Sequence, residues 1–203
     1  MMMVLTKRTG RVGCQIAAHV VHAVVLMAPT LLLAGFDGIS WAISCFAIGI
    51  IAAAVLESYF VSHDARASKP TVQDPTAICV ARLVGLFLLA IFWSAQIEQL
   101  GRDPRWLMIH AAGAALLVLG IVLRVEAIRA LGPRFVSDIR CDGMLVRDGI
   151  YAWLRHPSEI GLLAIVIGGP LLIGSVVSAS VAAMFLVPIS LWRMNRENVV
   201  LVA

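Results

Sequence analysis

The sequence predicts an all-α integral membrane protein, a helical bundle with five or six membrane-inserted helices and a C-terminal helical hairpin. Of its 203 residues, 61% are hydrophobic and only 14% are charged, whereas soluble domains carry roughly 25% charged residues. A soluble fold of this length has too little interior to bury so much apolar surface. The length favours a single membrane domain over residues 1–203, with N-terminal helices in 1–105 and a cofactor-binding catalytic part in 106–203.

The apolar runs give the positions of the helices. A hydrocarbon core of about 30 Å requires about 20 helical residues, and the runs of that length are 14–34, 39–61, 77–97 and 106–131. A further apolar stretch, 160–192, is too long for one span and contains the sequence GGPLLIGS at 168–175. Because glycine and proline interrupt helices, this break predicts a tight hairpin with arms near 160–172 and 176–192. The small residues of AAGAALLVLG (111–120) predict close packing between helices.

Basic residues occur mainly in alternate segments between the runs, which is the usual topology signal. The net charge is +4, but the basic residues do not form the dense patch that would indicate nucleic-acid binding. Both termini and the segment 132–159 are therefore predicted to be cytoplasmic, which makes the lipid bilayer the first partner. The residues behind this prediction are Lys7, Arg8, Arg11, Arg66, Lys69, Arg82, Arg129, Arg134, Arg140, Arg147, Arg155, Arg193 and Arg196. The four cysteines form no CxxC pair and no zinc-type cluster with histidine, so no metal site is predicted.

A few polar residues lie inside or at the ends of the apolar runs. Glu57 is either an interfacial residue or a side chain that faces a functional site, since acidic groups in membrane helices are costly. Arg124 and Glu126 belong either to a solvated helix end or to a pocket. Glu126 and Arg129 are three residues apart, close enough to pair. His110, near the start of the fourth run, is predicted to be interfacial.

Most of the sequence's chemically distinctive residues follow residue 123. In GIYAWLRHPSEIG (149–161), Asp148-Gly149 predicts a turn and Pro157 can open the next helix. Arg155 and His156 then lie at a helix start, where free N–H groups and the helix dipole favour anions. If 160–192 is a hairpin, its second arm returns the C-terminal motif beside this helix start. That motif contains Arg193 and Glu197, which are four residues apart on one helix face.

Two stretches together resemble a known family. LGPRFVSDIRCDGMLVRDGIYAWLRHPSEIG followed by RMNREN is similar to the isoprenylcysteine carboxyl methyltransferase and phospholipid methyltransferase group of integral membrane methyltransferases. The resemblance rests on LVxxGxY, RHP and RxxxE in this order and spacing, and it covers about 40% of the chain. It implies a small helical bundle with an S-adenosylmethionine pocket that faces the cytoplasm.

The resemblance also implies roles for particular residues. Arg155 would hold the site together or meet a carboxylate, and Glu197 would suit the cofactor's amino group or a partner arginine. The implied catalytic residues are Arg155, Glu159, Arg193 and Glu197. The implied cofactor-binding residues are Leu145, Val146, Gly149, Tyr151, His156, Pro157 and Glu197.

Two positions depart from the family pattern. Glu159 stands where the family has a tyrosine, and Asn198 stands where it has a second glutamate. Glu159 is a base, a selector for a cationic acceptor, or a solvated residue at a helix start.

The resemblance predicts S-adenosylmethionine-dependent methyl transfer to a small or lipophilic acceptor at the cytoplasmic membrane face. The alternatives are a non-catalytic membrane binding or assembly subunit that retains the fold, which the two departures favour, and an NADPH-dependent reductase related to the steroid reductases. The sequence leaves the oligomeric state and the acceptor's identity open.

Overall fold

The computed structural model describes residues 21–60, 75–100, 107–131 and 148–202. Within these ranges the long helices are α1 (Val21–Ala34), α2 (Trp41–Phe60), α3 (Pro75–Gln99), α4 (Leu107–Leu131), α5 (Pro157–Ile173) and α6 (Val176–Val202). Short 3-10 helices at Phe36–Gly38 and Gly149–Ala152 precede α2 and α5. The described ranges contain no strand, so the predicted all-α class is confirmed for them.

Two of the described helices are long and apolar enough to cross a membrane. They are Leu107–Leu131, which is α4, and Val176–Asn195, which is the greater part of α6. Shorter apolar helices are Val21–Ala34, Trp41–Glu57 and Pro157–Ile173. Many large apolar side chains lie on the outside of the fold, among them Leu32, Val177 and Phe185. An apolar exterior suits a lipid environment, while the number of membrane-inserted helices stays a prediction.

Glycines bring α4 and α5 into close backbone contact. A Cβ added at Gly120 of α4 would lie 2.6 Å from the carbonyl oxygen of Gly161 in α5. One added at Gly168 of α5 would lie 2.7 Å from the backbone nitrogen of Leu117. No larger residue fits at either position without moving a helix. The packing role predicted for residues 111–120 is therefore confirmed, and α4 and α5 run antiparallel at this contact.

The core lies between the α4–α5 pair and helices α1, α2 and α3. The rings of Phe46 (α2) and Phe92 (α3) have centroids 4.8 Å apart, and both cover Gly169 of α5. Apolar burial and aromatic contact of this kind hold helices together without specifying any chemistry. The buried side chains of this hydrophobic core are Leu26, Ile43, Phe46, Phe92, Ala95, Leu117, Ile165, Leu172 and Ile173.

Buried polar side chains bind backbone carbonyls of neighbouring helices. Gln96 is fully buried, donates to the carbonyl of Leu26 over 2.6 Å and accepts from the Thr30 hydroxyl over 2.8 Å. His110, predicted to be interfacial, is buried, and its Nδ1 lies 2.7 Å from the carbonyl oxygen of Leu172. Helix α5 ends against the first turn of α4 and covers the imidazole, while the position of His110 relative to the membrane interface stays a prediction.

The hairpin between α5 and α6 is present, but its break is shorter than the predicted 168–175. Helix α5 continues through Gly168, Gly169 and Pro170 to Ile173. The chain turns at Gly174, whose φ is 103°, a left-handed conformation suited to glycine. The N–H groups of Gly174 and Ser175 both donate to the carbonyl of Pro170, over 3.0 Å and 2.9 Å. Helix α6 also extends past the predicted end at 192, to Val202.

Candidate functional site

The candidate site surrounds the start of α5. We call residues 148–160 the corner segment; it contains the predicted Asp148-Gly149 turn, the Arg-His-Pro step and the first turn of α5. Because α4 and α5 are antiparallel, the end of α4 lies beside the start of α5. The α5–α6 hairpin returns the later part of α6 to the same place. Helix α2 also reaches this end of the bundle, through Glu57.

A glycine turn opens the corner segment. Gly149 has a φ of 60°, which L side chains rarely adopt, and a Cβ there would lie 3.9 Å from that of Ala130 in α4. The turn leads into the 3-10 helix Gly149–Ala152, in which the N–H of Tyr151 donates to the carbonyl of Asp148 over 3.3 Å. The predicted turn at Asp148-Gly149 is confirmed, and it sets the half-buried Tyr151 near the end of α4.

The first turn of α5 offers backbone donors. Pro157 occupies the start of the helix, as predicted, and His156 is the N-cap residue without a side-chain cap bond. Within the described part of the chain, the N–H groups of Ser158 and Glu159 have no hydrogen-bond acceptor. Arg155, directly before this turn, is exposed. Free N–H groups, the positive end of the helix dipole and an arginine together favour an anion at this point.

Glu159 links the corner segment to α6. Its Oε1 lies 3.1 Å from a guanidinium nitrogen of Arg193, and its Oε2 accepts from the Ser190 hydroxyl over 3.4 Å. Glu159 is buried, so the hypothesis of a solvated residue at the helix start is wrong. Glu159 and Arg193 are 34 positions apart in the sequence, so this contact depends on the tertiary fold. The last arm therefore returns Arg193 to the first turn of α5, while the predicted approach of Glu197 to the Arg-His-Pro step stays a prediction.

A second ion pair joins three helices at the same end. The guanidinium of Arg124 in α4 donates to both carboxylate oxygens of Glu57 in α2, over 3.1 Å and 2.9 Å. Its remaining terminal nitrogen donates to the Ser158 hydroxyl in α5 over 3.2 Å. The hypotheses that Glu57 and Arg124 face inward are supported by this contact, although their pairing was not foreseen. The sequence held a signal for this pair, because Glu57 and Arg124 are oppositely charged residues that each lie inside an apolar run.

Other predicted residues are outside this network or outside the described residues. Glu126 and Arg129 pair over 2.8 Å on the exposed side of α4, as their spacing predicts. Leu145 and Val146 lie outside the described residues, as does the side chain of Glu197, whose backbone belongs to α6 one turn after Arg193. Sequence reasoning missed Ser158 and Ser190, because a serine at a helix start or inside an apolar helix carries no distinctive signal.

Comparison with known proteins covers the part of the chain that forms this site. Residues 108–202 match the sequence model of the phospholipid methyltransferase family. Curated relatives named protein-S-isoprenylcysteine O-methyltransferase are 35% identical over 98 residues in Schizosaccharomyces pombe and 26% identical over 147 residues in Rattus norvegicus. These alignments cover 46% and 70% of this chain, but only 42% and 45% of the relatives. No solved structure matches the chain significantly.

The fold and the site define a helical protein with apolar, membrane-type helices and a polar corner at one end of its bundle. Its residues 108–202 are similar to the phospholipid methyltransferase family and, in part, to relatives named protein-S-isoprenylcysteine O-methyltransferase. The predicted resemblance is confirmed, and the relatives that match are named as methyltransferases. The chain spans less than half the length of these curated relatives.

Proposed function

We propose that this protein transfers a methyl group from S-adenosylmethionine to a small or lipophilic acceptor at the cytoplasmic face of a membrane. The observation that best supports this proposal is the contact between Glu159 and Arg193. It brings the C-terminal motif to the helix that begins directly after the Arg-His-Pro step. Both motifs lie within the residues that match the phospholipid methyltransferase family. Neither motif alone offers the cations, anion and aromatic wall that such a cofactor requires.

The groups at the corner segment fit the chemistry of S-adenosylmethionine. The cofactor's carboxylate suits the free N–H groups at the start of α5. Tyr151 and His156 offer aromatic and hydrogen-bonding walls, and Glu197 offers an anion for the amino group. The full set that we assign to the cofactor is Leu145, Val146, Gly149, Tyr151, His156, Pro157 and Glu197.

Positioning is the main catalytic contribution that we assign to these residues. When bound, S-adenosylmethionine supplies an electrophilic methyl group on its sulfonium. Arg155 orients the acceptor, since methyl transfer needs an in-line approach and orientation supplies much of the rate. Glu159 and Arg193 act as a pair that fixes the distance between α5 and α6. A carboxylate acceptor needs no general base, whereas a thiol, hydroxyl or amine would use one.

The acceptor reaches the site from the bilayer in this proposal. The relatives are named for methyl transfer to an isoprenylcysteine, and we propose a similarly lipophilic acceptor here. The apolar outer surface of the helices is consistent with a lateral approach. We further propose one membrane domain, with 1–105 as N-terminal helices, 106–203 as the catalytic part, and both termini and residues 132–159 in the cytoplasm.

Calorimetry of the detergent-purified protein tests the proposal. We expect S-adenosylhomocysteine to bind with micromolar affinity and NADPH not to bind. The His156→Ala variant should bind S-adenosylhomocysteine at least about tenfold more weakly. Binding of NADPH alone would support a reductase, and binding of neither ligand would support an assembly subunit. Unchanged affinity in His156→Ala would contradict the assigned cofactor site.

A further inference from the structure

A cavity of about 240 Å³ lies at the end of the bundle opposite the corner segment. It is formed where α1 ends, α2 and α4 begin, and α3 and α5 end. Its polar lining includes Asp37, Ser40, Trp41, Gln99 and His110. Pockets for drug-sized ligands measure about 300–1,000 Å³, so this cavity suits a smaller molecule. The methyl-transfer proposal makes no use of it.

The buried part of the cavity lining offers hydrogen-bond acceptors. His110 is 4% exposed, and because a carbonyl oxygen can only accept, its Nδ1 carries the hydrogen that is donated to Leu172. In the neutral ring Nε2 is then an acceptor, and it has no partner within the described residues. Gln99, which is only half-buried, donates its Nε2 hydrogen to the carbonyl of Gly174 over 2.9 Å, which leaves its Oε1 as an acceptor at the edge of this buried part. An acceptor that is buried without a donor costs free energy, so a donor-bearing ligand would be stabilised here.

The exposed rim adds negative charge and an aromatic ring. Asp37 lies in the 3-10 helix Phe36–Gly38, and its carboxylate has no ion pair or hydrogen bond within the described part of the chain. Trp41 begins α2, and its ring centroid lies 5.3 Å from that of His110. A carboxylate and an indole both attract cations, whereas the carboxylate repels anions.

From this donor and acceptor inventory we propose that the cavity binds a small primary ammonium group. Such a group carries one positive charge and three N–H donors, which match the Asp37 carboxylate, His110 Nε2 and Gln99 Oε1. A quaternary ammonium has the charge but no N–H, and a neutral alcohol has one donor and no charge. The site is distinct from the corner segment and lies at the other end of α4 and α5.

Titration calorimetry with ethylammonium chloride tests this site on the full chain in non-ionic detergent. The buffer is amine-free phosphate, with ionic strength held constant by sodium chloride. We expect saturable binding with a dissociation constant on the order of 1 mM, and tetramethylammonium chloride should bind at least about tenfold more weakly. Asp37→Asn, at the exposed rim, should weaken ethylammonium binding by at least about tenfold without unfolding the protein.

The matched control is Glu126→Gln, which removes one exposed carboxylate at the opposite end of α4. It should leave ethylammonium binding unchanged. The proposal is overturned if the wild-type protein gives no saturable heat, if tetramethylammonium binds as tightly as ethylammonium, or if Asp37→Asn and Glu126→Gln have the same effect. S-adenosylhomocysteine affinity, measured on the same samples, reports separately on the methyl-transfer proposal.

Discussion

At the scale of single residues, Glu159 shows how tertiary context changes the role of a side chain. In the sequence it is an acidic residue in the first turn of a helix, a position where the dipole stabilises a solvated carboxylate. In the structure it is buried against α6 and bound to Arg193 and Ser190. A buried carboxylate without its partner is strongly disfavoured, so Arg193 is what allows Glu159 to occupy this position.

Replacing Glu159 tests that dependence. Glu159→Gln removes the carboxylate that pairs with Arg193, and we expect a loss of about 1–2 kcal/mol in the free energy of unfolding, because Arg193 is partly screened by solvent. Thermal unfolding in detergent measures the loss. The double variant Glu159→Arg with Arg193→Glu should recover part of it. Equal melting temperatures for the wild-type protein and Glu159→Gln would contradict the expectation.

At the scale of elements, the α4–α5 pair is specified by glycines that leave no room for a side chain. Gly120 meets the carbonyl of Gly161, and Gly168 meets the backbone of α4. Lipid tails are as apolar as the side chains, so association of membrane helices depends on close packing of this kind. The pair also positions the corner segment, because Gly149 lies beside Ala130 of α4 and the Ser158 hydroxyl accepts a hydrogen bond from Arg124 of α4.

Gly120→Ala should therefore destabilise the protein by about 1–3 kcal/mol, as overpacking does. Gly85→Ala is the matched control, since a Cβ at Gly85 in α3 would meet nothing within 4 Å. Because alanine favours helix more than glycine, that control should be neutral or stabilising by up to about 1 kcal/mol. Thermal unfolding of the two variants side by side makes the comparison. A similar drop for both would show that the α4–α5 contact is not the cause.

At the scale of the whole molecule, the Glu57–Arg124 pair connects the N-terminal helices with the residues that match the family. Glu57 belongs to α2, outside the match, whereas Arg124 and Ser158 lie inside it. The pair is only partly exposed and is bidentate, and such pairs are stronger than surface ion pairs. The N-terminal half therefore contributes to the position of the corner segment.

A double-mutant cycle measures this connection. Glu57→Gln and Arg124→Gln should couple by at least about 1 kcal/mol in the free energy of unfolding. The exposed pair Glu126–Arg129 on the same helix is the control, and its cycle should give about 0–0.5 kcal/mol. Equal coupling in the two cycles would mean that Glu57 and Arg124 are no more than a surface pair.

Cysteine labelling tests the proposed orientation in the membrane. The exposed residues Trp153, in the corner segment, and Phe36, at the opposite end, are each replaced by cysteine in a background without the native cysteines. A membrane-impermeant maleimide should label Trp153→Cys only from the cytoplasmic side and Phe36→Cys only from the other side. Labelling of both from one side would contradict the predicted topology.

The sequence predicted the helices better than their contacts. Each of the described long helices overlaps a predicted run, because about 20 apolar residues are required to cross a bilayer and glycine, proline and charges mark the ends. The errors occur where tertiary packing overrides a local signal. The stretch Gly168–Pro170 stays helical because α4 and the rings of Phe46 and Phe92 pack closely around it. The burial of His110 was not foreseen either, because it depends on the end of α5, which is distant in the sequence.

By itself the sequence determined the all-α class, the positions of the runs, the turn at Gly149, the start of α5 at Pro157 and the resemblance to membrane methyltransferases. All of these follow from local composition and spacing, which act over one or two helical turns. Only the tertiary structure decided that Glu159 pairs with Arg193, that Arg124 binds Glu57 and Ser158, and that His110 and Gln99 line a cavity at the opposite end of the bundle. Those contacts join residues more than 30 positions apart, and their geometry depends on how closely the glycines of α4 and α5 let the helices approach.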